Sequence, residues 1–255
     1  MLDHLSYSSI SAYLTCGRHW QYRYVEQAPA WTSTNLVFGS AVHGAIEAYI
    51  ATPDRQPDAM HELWRSSWAK QVDANEGRID WGIDTPEGLS NQGLKLLTHP
   101  ETLLVLDALT PLGPEWIEKR VELHVPGVPV PVVGYIDIVT ADGIPGDFKT
   151  SARSWSEDKA LGETQPLFYL AALNQAGYTL NPQRRFRHYV FVKTKEPKVQ
   201  IIEHSHTAGQ LFWLFEMIRS VWQAIEAGVY PLNPTGWKCT PAYCEYWTRC
   251  RGRAG

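Results

Sequence analysis

The feature that most constrains this chain is the run GYIDIVTADGIPGDFKT, from Gly134 to Thr150. Two stretches rich in β-branched and aromatic residues flank Asp142-Gly143, a tight-turn dipeptide, so the run predicts two paired strands. Residues i and i+2 of a strand share a face. Asp147 and Lys149 therefore stand side by side, and Phe148 points to the opposite face, where a core can bury it. Asp137 shares its face with Val133, Tyr135 and Val139. A carboxylate on an apolar face is costly unless it is paired or bound to a metal. The turn brings Asp137 next to Asp147, and two carboxylates beside a lysine suit Mg²⁺ or Mn²⁺, which prefer oxygen ligands. The backbone carbonyl of Phe148 is a further candidate ligand. A buried Asp147–Lys149 ion pair with a turn-stabilising Asp137 would account for an isolated Asp-x-Lys. The GxxD strand and the turn that precede it favour the metal reading.

Around this hairpin the periodicity alternates between helix and strand. Ser residues that can cap a helix open LSYSSISAYLTCGRHWQYRYV, residues 5–25. In 36–50, Phe38, Val42, Ala45, Ile46 and Tyr49 form one apolar stripe, and a third helix is expected over about 57–71. Residues 72–100 read as loop with a helix near 88–97. Strands are expected in EWIEKRVELHV, VPVVGYIDIVT and IPGDFKT, and a hairpin in RFRHYVFVKT and KVQIIEH. Helices are expected at about 164–176, closed by Gly177, and at 208–227, closed by Gly228. The order predicts an α/β fold with a central mixed β-sheet flanked by helices. One domain over 1–255 is expected: a helical N-terminal part (1–110), a sheet core (111–207), and a C-terminal helix with a Cys-rich tail (208–255).

Charge placement says more than its sum, which is −4. Residues 54–107 carry ten acids and five bases, whereas 184–198 carry six Arg or Lys and one acid. A basic segment beside an acidic metal site suits a phosphodiester, and a strand edge protected by Lys and Arg is the plainer alternative. No run approaches the ~20 apolar residues of a membrane span. The first residues, MLDHLSYSSISAYL, lack a basic leader followed by an apolar stretch. A soluble, cytoplasmic protein is expected. His43 lies one turn after Gly39 and one turn before Glu47, where its imidazole can reach a metal.

Four blocks, in order, resemble the RecB-like branch of the PD-(D/E)XK nuclease superfamily, which includes CRISPR-associated and phage single-strand exonucleases. They are SYSSISAYLTCGRHWQYRYV, FGSAVHGAIE, GYIDIV followed by GDFKT, and the helix start Gln165-Pro-Leu-Phe-Tyr169. The resemblance implies a restriction-endonuclease-like core. It also implies His43, Asp137 and Asp147 as metal ligands, Lys149 as the catalytic lysine, and Gln165 and Tyr169 near the DNA backbone. Glu118 and Glu122 each offer an additional carboxylate. Members of this branch often carry a [4Fe–4S] cluster with one N-terminal and three C-terminal ligands, the distribution of Cys16, Cys239, Cys244 and Cys250. The four residues between Cys239 and Cys244 depart from the usual gap of two, and zinc is the alternative metal. The function implied is a metal-dependent DNA exonuclease acting on single strands or ends in recombination, repair or replication. A non-cleaving DNA-binding protein and a structure-specific endonuclease are the rivals. Trp20, Tyr22 and Tyr24 are candidates to stack on unpaired bases and equally candidates for the core. A separate helicase or recombinase is the class of partner such a nuclease could work beside, and no residue names one.

Overall fold

A computed structural model describes residues 2–56 and 58–252. In chain order the elements are β1 (Leu5–Ser6), α1 (Tyr7–Thr15), α2 (Gly17–Trp20), β2 (Thr32–Ser33), α3 (Thr34–Ala51), α4 (Ala59–Ala74), β3 (Ile79–Asp80), α5 (Pro86–Leu97) and α6 (Pro100–Ala108). There follow β4 (Ile117–Leu123), β5 (Val132–Val139), β6 (Pro145–Ser151), α7 (Glu157–Gly162), α8 (Gln165–Gln175), β7 (Arg185–Val192), β8 (Lys198–Ser205), α9 (Ala208–Glu226) and α10 (Trp247–Cys250). The fold is mixed α/β with a central mixed sheet, as the periodicity predicts. No helix among the described residues is long and apolar enough to cross a membrane.

The chain forms two compact units. The larger holds Thr32–Val121 and Tyr135–Thr207. Its sheet is mixed: β5 runs antiparallel to β6, β6 parallel to β7, and β7 antiparallel to β8. The core lies where α3 and α4 bury Phe38, Val42, Ile46, Trp64 and Trp68 with Phe148, Tyr189 and Phe191 of the sheet. Phe148 thus takes the core side predicted for it. Ser33 caps α3 by accepting from the Leu36 amide at 3.3 Å, an interaction typically worth ~1 kcal/mol. Gly93 lets α5 meet α4, because a Cβ there would lie 2.0 Å from the Trp64 ring.

The helix expected near 88–97 is α5, which starts two residues earlier at Pro86, whereas α6 at Pro100 was not foreseen. Both prolines occupy a first turn, where the missing N–H costs nothing and the fixed φ favours helix. The basic run at 184–198 is largely spent on structure. Arg187 meets Asp142 at 2.6 Å and Glu203 at 2.7 Å, and Arg185 meets Glu203 at 3.3 Å. Both arginines lie on β7, which pairs with β6 on one side and β8 on the other, so they do not guard a sheet edge.

The smaller unit holds Met1–Trp31, Glu122–Gly134 and Ala208–Gly255. Here β1 pairs in parallel with Val132 and Val133. The helix expected over 5–25 is interrupted at Cys16, whose backbone is extended (φ −167°, ψ 111°), and Gln21–Val25 form a π-helical turn. Pro231 packs against the chain just after the break, where a Cβ on Gly17 would lie 2.5 Å from its ring. Trp20 is fully buried, stacked 5.8 Å from Tyr230, so it belongs to the core and not to a base-stacking surface. Tyr24 lies 5.3 Å from Trp20, and Tyr22 lies 5.4 Å from Tyr246.

Candidate active site

The site forms in the larger unit where β5 and β6 part. Their ladder pairs Val139 with Pro145 and Ile138 with Gly146. Continued by one step, it would set Asp137 opposite Asp147. The ladder stops short of that step, and the Asp137 side chain accepts the Phe148 amide at 2.5 Å. Asp137 and Asp147 are 5% and 2% exposed, burial that carboxylates tolerate only with partners or a cation.

Helix α3 brings His43 and Glu47 to the same place. The spacing i, i+4 sets them on one helix face. His43 Nδ1 lies 3.6 Å from Asp137 Oδ2. One donor atom each from His43, Glu47 and Asp137 falls within 4.8 Å of the others. This mixed oxygen and imidazole set fits a divalent cation. Glu47 was not foreseen as part of the set, although its position one turn beyond His43 was the available signal. Glu118 of β4, one of the two glutamates left open by the sequence, lines the same groove as Glu47 and faces it closely enough to raise its carboxyl. Glu118 holds a left-handed backbone (φ 49°), a strained state for a residue with a side chain. Glu122 lies in the smaller unit, 3.7 Å from His124.

Asp147 lies outside that donor triad and turns to Lys149, whose Nζ is 2.6 Å from Oδ2. Lys149 also donates to Gln165 Oε1 at 2.8 Å. Gln165 Nε2 donates to the Tyr169 hydroxyl at 2.8 Å, and Tyr169 donates to the Tyr135 carbonyl. Gln165 and Tyr169 were expected near a DNA backbone. In this structure Gln165 accepts from the lysine, and Tyr169, 3% exposed, backs Gln165. Phe148 contributes its amide to Asp137. Tyr135, placed by sequence on an apolar face with Asp137, is half exposed.

The electrostatics follow from this crowding. Burial works against a charged His43, but the Asp137 carboxylate outweighs it and lifts the imidazole to about 9. Burial and the Glu118 carboxyl push Glu47 up to about 8. Burial raises Asp147 to about 6, with Lys149 opposing and Asp137 reinforcing the shift. His43 and Glu47 are held against their ordinary charge states at neutral pH and Asp147 is shifted towards it, which makes this a strong functional candidate.

The cysteines converge in the smaller unit. Cys16, Cys239, Cys244 and Cys250 are free thiols that line one cavity of about 180 Å³, together with His19 and Lys238. The break at Cys16 and the tail bring the four residues to it. His19 Nε2 lies 2.8 Å from Glu245 Oε1 and 2.9 Å from Lys238 Nζ, and Arg251 Nη1 lies 3.7 Å from Cys239 Sγ. Burial pushes the Cys244 thiol up.

No match was found among curated proteins. Among solved structures the chain is similar to that of a "putative exonuclease" from Eubacterium rectale, with a TM-score of 0.65 and 13% identity, covering 98% of this chain and 88% of that one. That likeness is one of fold. The family model of the PD-(D/E)XK nuclease superfamily matches residues 4–251. With a match over nearly its whole length, the chain belongs to the PD-(D/E)XK nuclease superfamily.

Proposed function

We propose that this chain is a metal-dependent DNA exonuclease acting on single strands or ends, in recombination, repair or replication. The observation that carries the reading is the pairing of the His43–Glu47–Asp137 donor set with Asp147–Lys149 at the parting of β5 and β6. Nucleases of this superfamily use divalent metals, and Mg²⁺ or Mn²⁺ suits these donors. A divalent ion there would polarise the scissile phosphate and acidify a water. His43, Glu47 and Asp137 would hold it, with Asp147 and the Phe148 carbonyl as the further ligands the family resemblance implies. Lys149 carries the chemistry of the chain itself. Its ammonium, fixed by Asp147 and Gln165, is a cation aimed at charge developing on the phosphate. Gln165 and Tyr169 act as positioning residues for it.

The chain acts as one nuclease domain in this reading, with the four cysteines holding a [4Fe–4S] cluster. Four thiols lining one cavity support the cluster, whose role is to tie the tail to the first helices. The function is tested by cleavage of end-labelled single-stranded DNA in Mg²⁺ or Mn²⁺, with Lys149→Ala beside the intact protein. Metal-dependent degradation lost in the variant is expected. Binding without cleavage by the intact, metal-loaded protein refutes the enzymatic reading, and cutting of circular single strands replaces the exonuclease with an endonuclease.

A further inference from the structure

We infer that the α4 wall of the groove beside the metal triad binds the phosphate backbone of the strand to be cut, with Lys70 as its cation. The inference rests on the nuclease reading for the identity of the ligand. The groove, about 900 Å³, is lined by His43, Glu47 and Glu118 and by further residues of α3 and α4. On α4 it is lined by Leu63, Ser66, Ser67, Lys70 and Gln71. These positions fall at i, i+3, i+4, i+7 and i+8, a single helical stripe.

This stripe has no acid. Glu62 is off it and pairs with Arg65 at 3.4 Å, and Asp73 does not line the groove. Ser67 spends its hydroxyl on the Ala41 carbonyl at 2.7 Å. That contact sets the helix crossing, because a Cβ on Gly44 would lie 2.7 Å from the same oxygen. The stripe and the His43–Glu47 face line one groove. No hydrogen bond or ion pair engages the side chains of Ser66, Lys70 and Gln71 among the described residues, and Ser40 on the facing helix is equally uncommitted. Four polar groups able to donate therefore line the groove that also holds the Glu47 and Glu118 carboxyls. This set fits a polyanion that reaches the metal with one phosphate and rests its neighbours on donors. Leu36, 54% exposed, adds apolar surface on α3 for a sugar or base.

The experiment is fluorescence anisotropy of a labelled single-stranded oligonucleotide in chelator, across a salt series, for the intact protein, Lys70→Ala and Lys70→Glu. Lys70 is exposed, so circular dichroism should show the fold unchanged. Lys70→Ala should weaken binding roughly three- to tenfold and lower the salt slope by about 0.7, the share of one phosphate contact. Lys70→Glu should weaken it further. In Mn²⁺, KM should rise with kcat unchanged. The inference is overturned if both variants keep the affinity and salt slope of the intact protein, or if the intact protein binds no oligonucleotide. Loss of affinity in the variants, combined with no cleavage by the intact protein, would uphold the track and refute the nuclease reading. Cleavage indifferent to Lys70 would do the reverse.

Discussion

Replacing Gln165 with Ala separates positioning of the catalytic lysine from contact with the strand. Lys149 has two partners in the structure, Asp147 at 2.6 Å and Gln165 at 2.8 Å. The substitution removes the second and leaves the Tyr169 hydroxyl without its donor. A hydrogen bond to a charged group contributes about 1.5–3 kcal/mol. If that energy fixes the ammonium where charge develops, kcat falls between roughly 10- and 150-fold, at a factor of ten for each ~1.4 kcal/mol. KM should stay within about twofold, because the contact is with Lys149 and not with DNA. Loss of the neutral bond adds about 1 kcal/mol of destabilisation, a fall of about 2–4 °C in Tm for a chain of this size. The assay is steady-state and single-turnover cleavage of an end-labelled single strand, with thermal melts alongside. An unchanged kcat with a tenfold higher KM would refute the argument and return Gln165 to the DNA-contact role implied by family resemblance.

Three further outcomes follow from the same geometry. His43 at about 9 and Glu47 at about 8 both lie above their ordinary values, so the stability they contribute is present at low pH and lost as pH rises through those values. Metal-free protein should lose on the order of 1–3 kcal/mol between about pH 7 and 9, and Mn²⁺, whose binding releases the same protons, should reverse the trend. Melting curves that stay flat in chelator over that range would contradict this. Anaerobically purified protein should be coloured and contain iron and sulfide, with Cys16→Ser or Cys239→Ser reducing both. Colourless, iron-free protein sinks the cluster, and stoichiometric zinc replaces it. Gly93→Ala drives a methyl into the buried Trp64 ring and should cost about 1–3 kcal/mol, read as a lower Tm. An unaltered melt would mean that the two helices can separate freely.

The centre of the fold was legible because strand periodicity is local. The two-residue repeat through Asp147, Phe148 and Lys149 set which side met the core, and the turn at Asp142-Gly143 gave the pairing. His43 was legible from its helix, and Glu47 was visible beside it but lacked a reason to be chosen. That reason is three-dimensional: β4 turns through a strained Glu118 to bring a second carboxyl to it. Helix α6 was hidden, and the start of α5 was missed by two residues, because a proline in the first turn reads like a loop signal. Trp20 was ambiguous because aromatic side chains serve cores and stacking surfaces alike, and only the packing of Tyr230 against it decides. The Gln165–Tyr169 relay was legible as one helix face, but its target was not, since Lys149 is 16 residues before Gln165 in the chain.

The smaller unit is drawn from three separated stretches of sequence, and this sets the timing of its assembly. Tyr13 donates to the Val229 carbonyl across 216 positions, and Tyr246 to the Ala28 carbonyl across 218. A chain emerging from the ribosome at about 5–20 residues per second therefore carries its first helices for on the order of ten seconds or more before the residues that cover them exist. During that interval the Trp20 side is open to other chains and to chaperones. A nascent chain stopped short of Val229 would keep it open permanently, so the tail acts as a late fastener whose loss shows first as poor yield and aggregation.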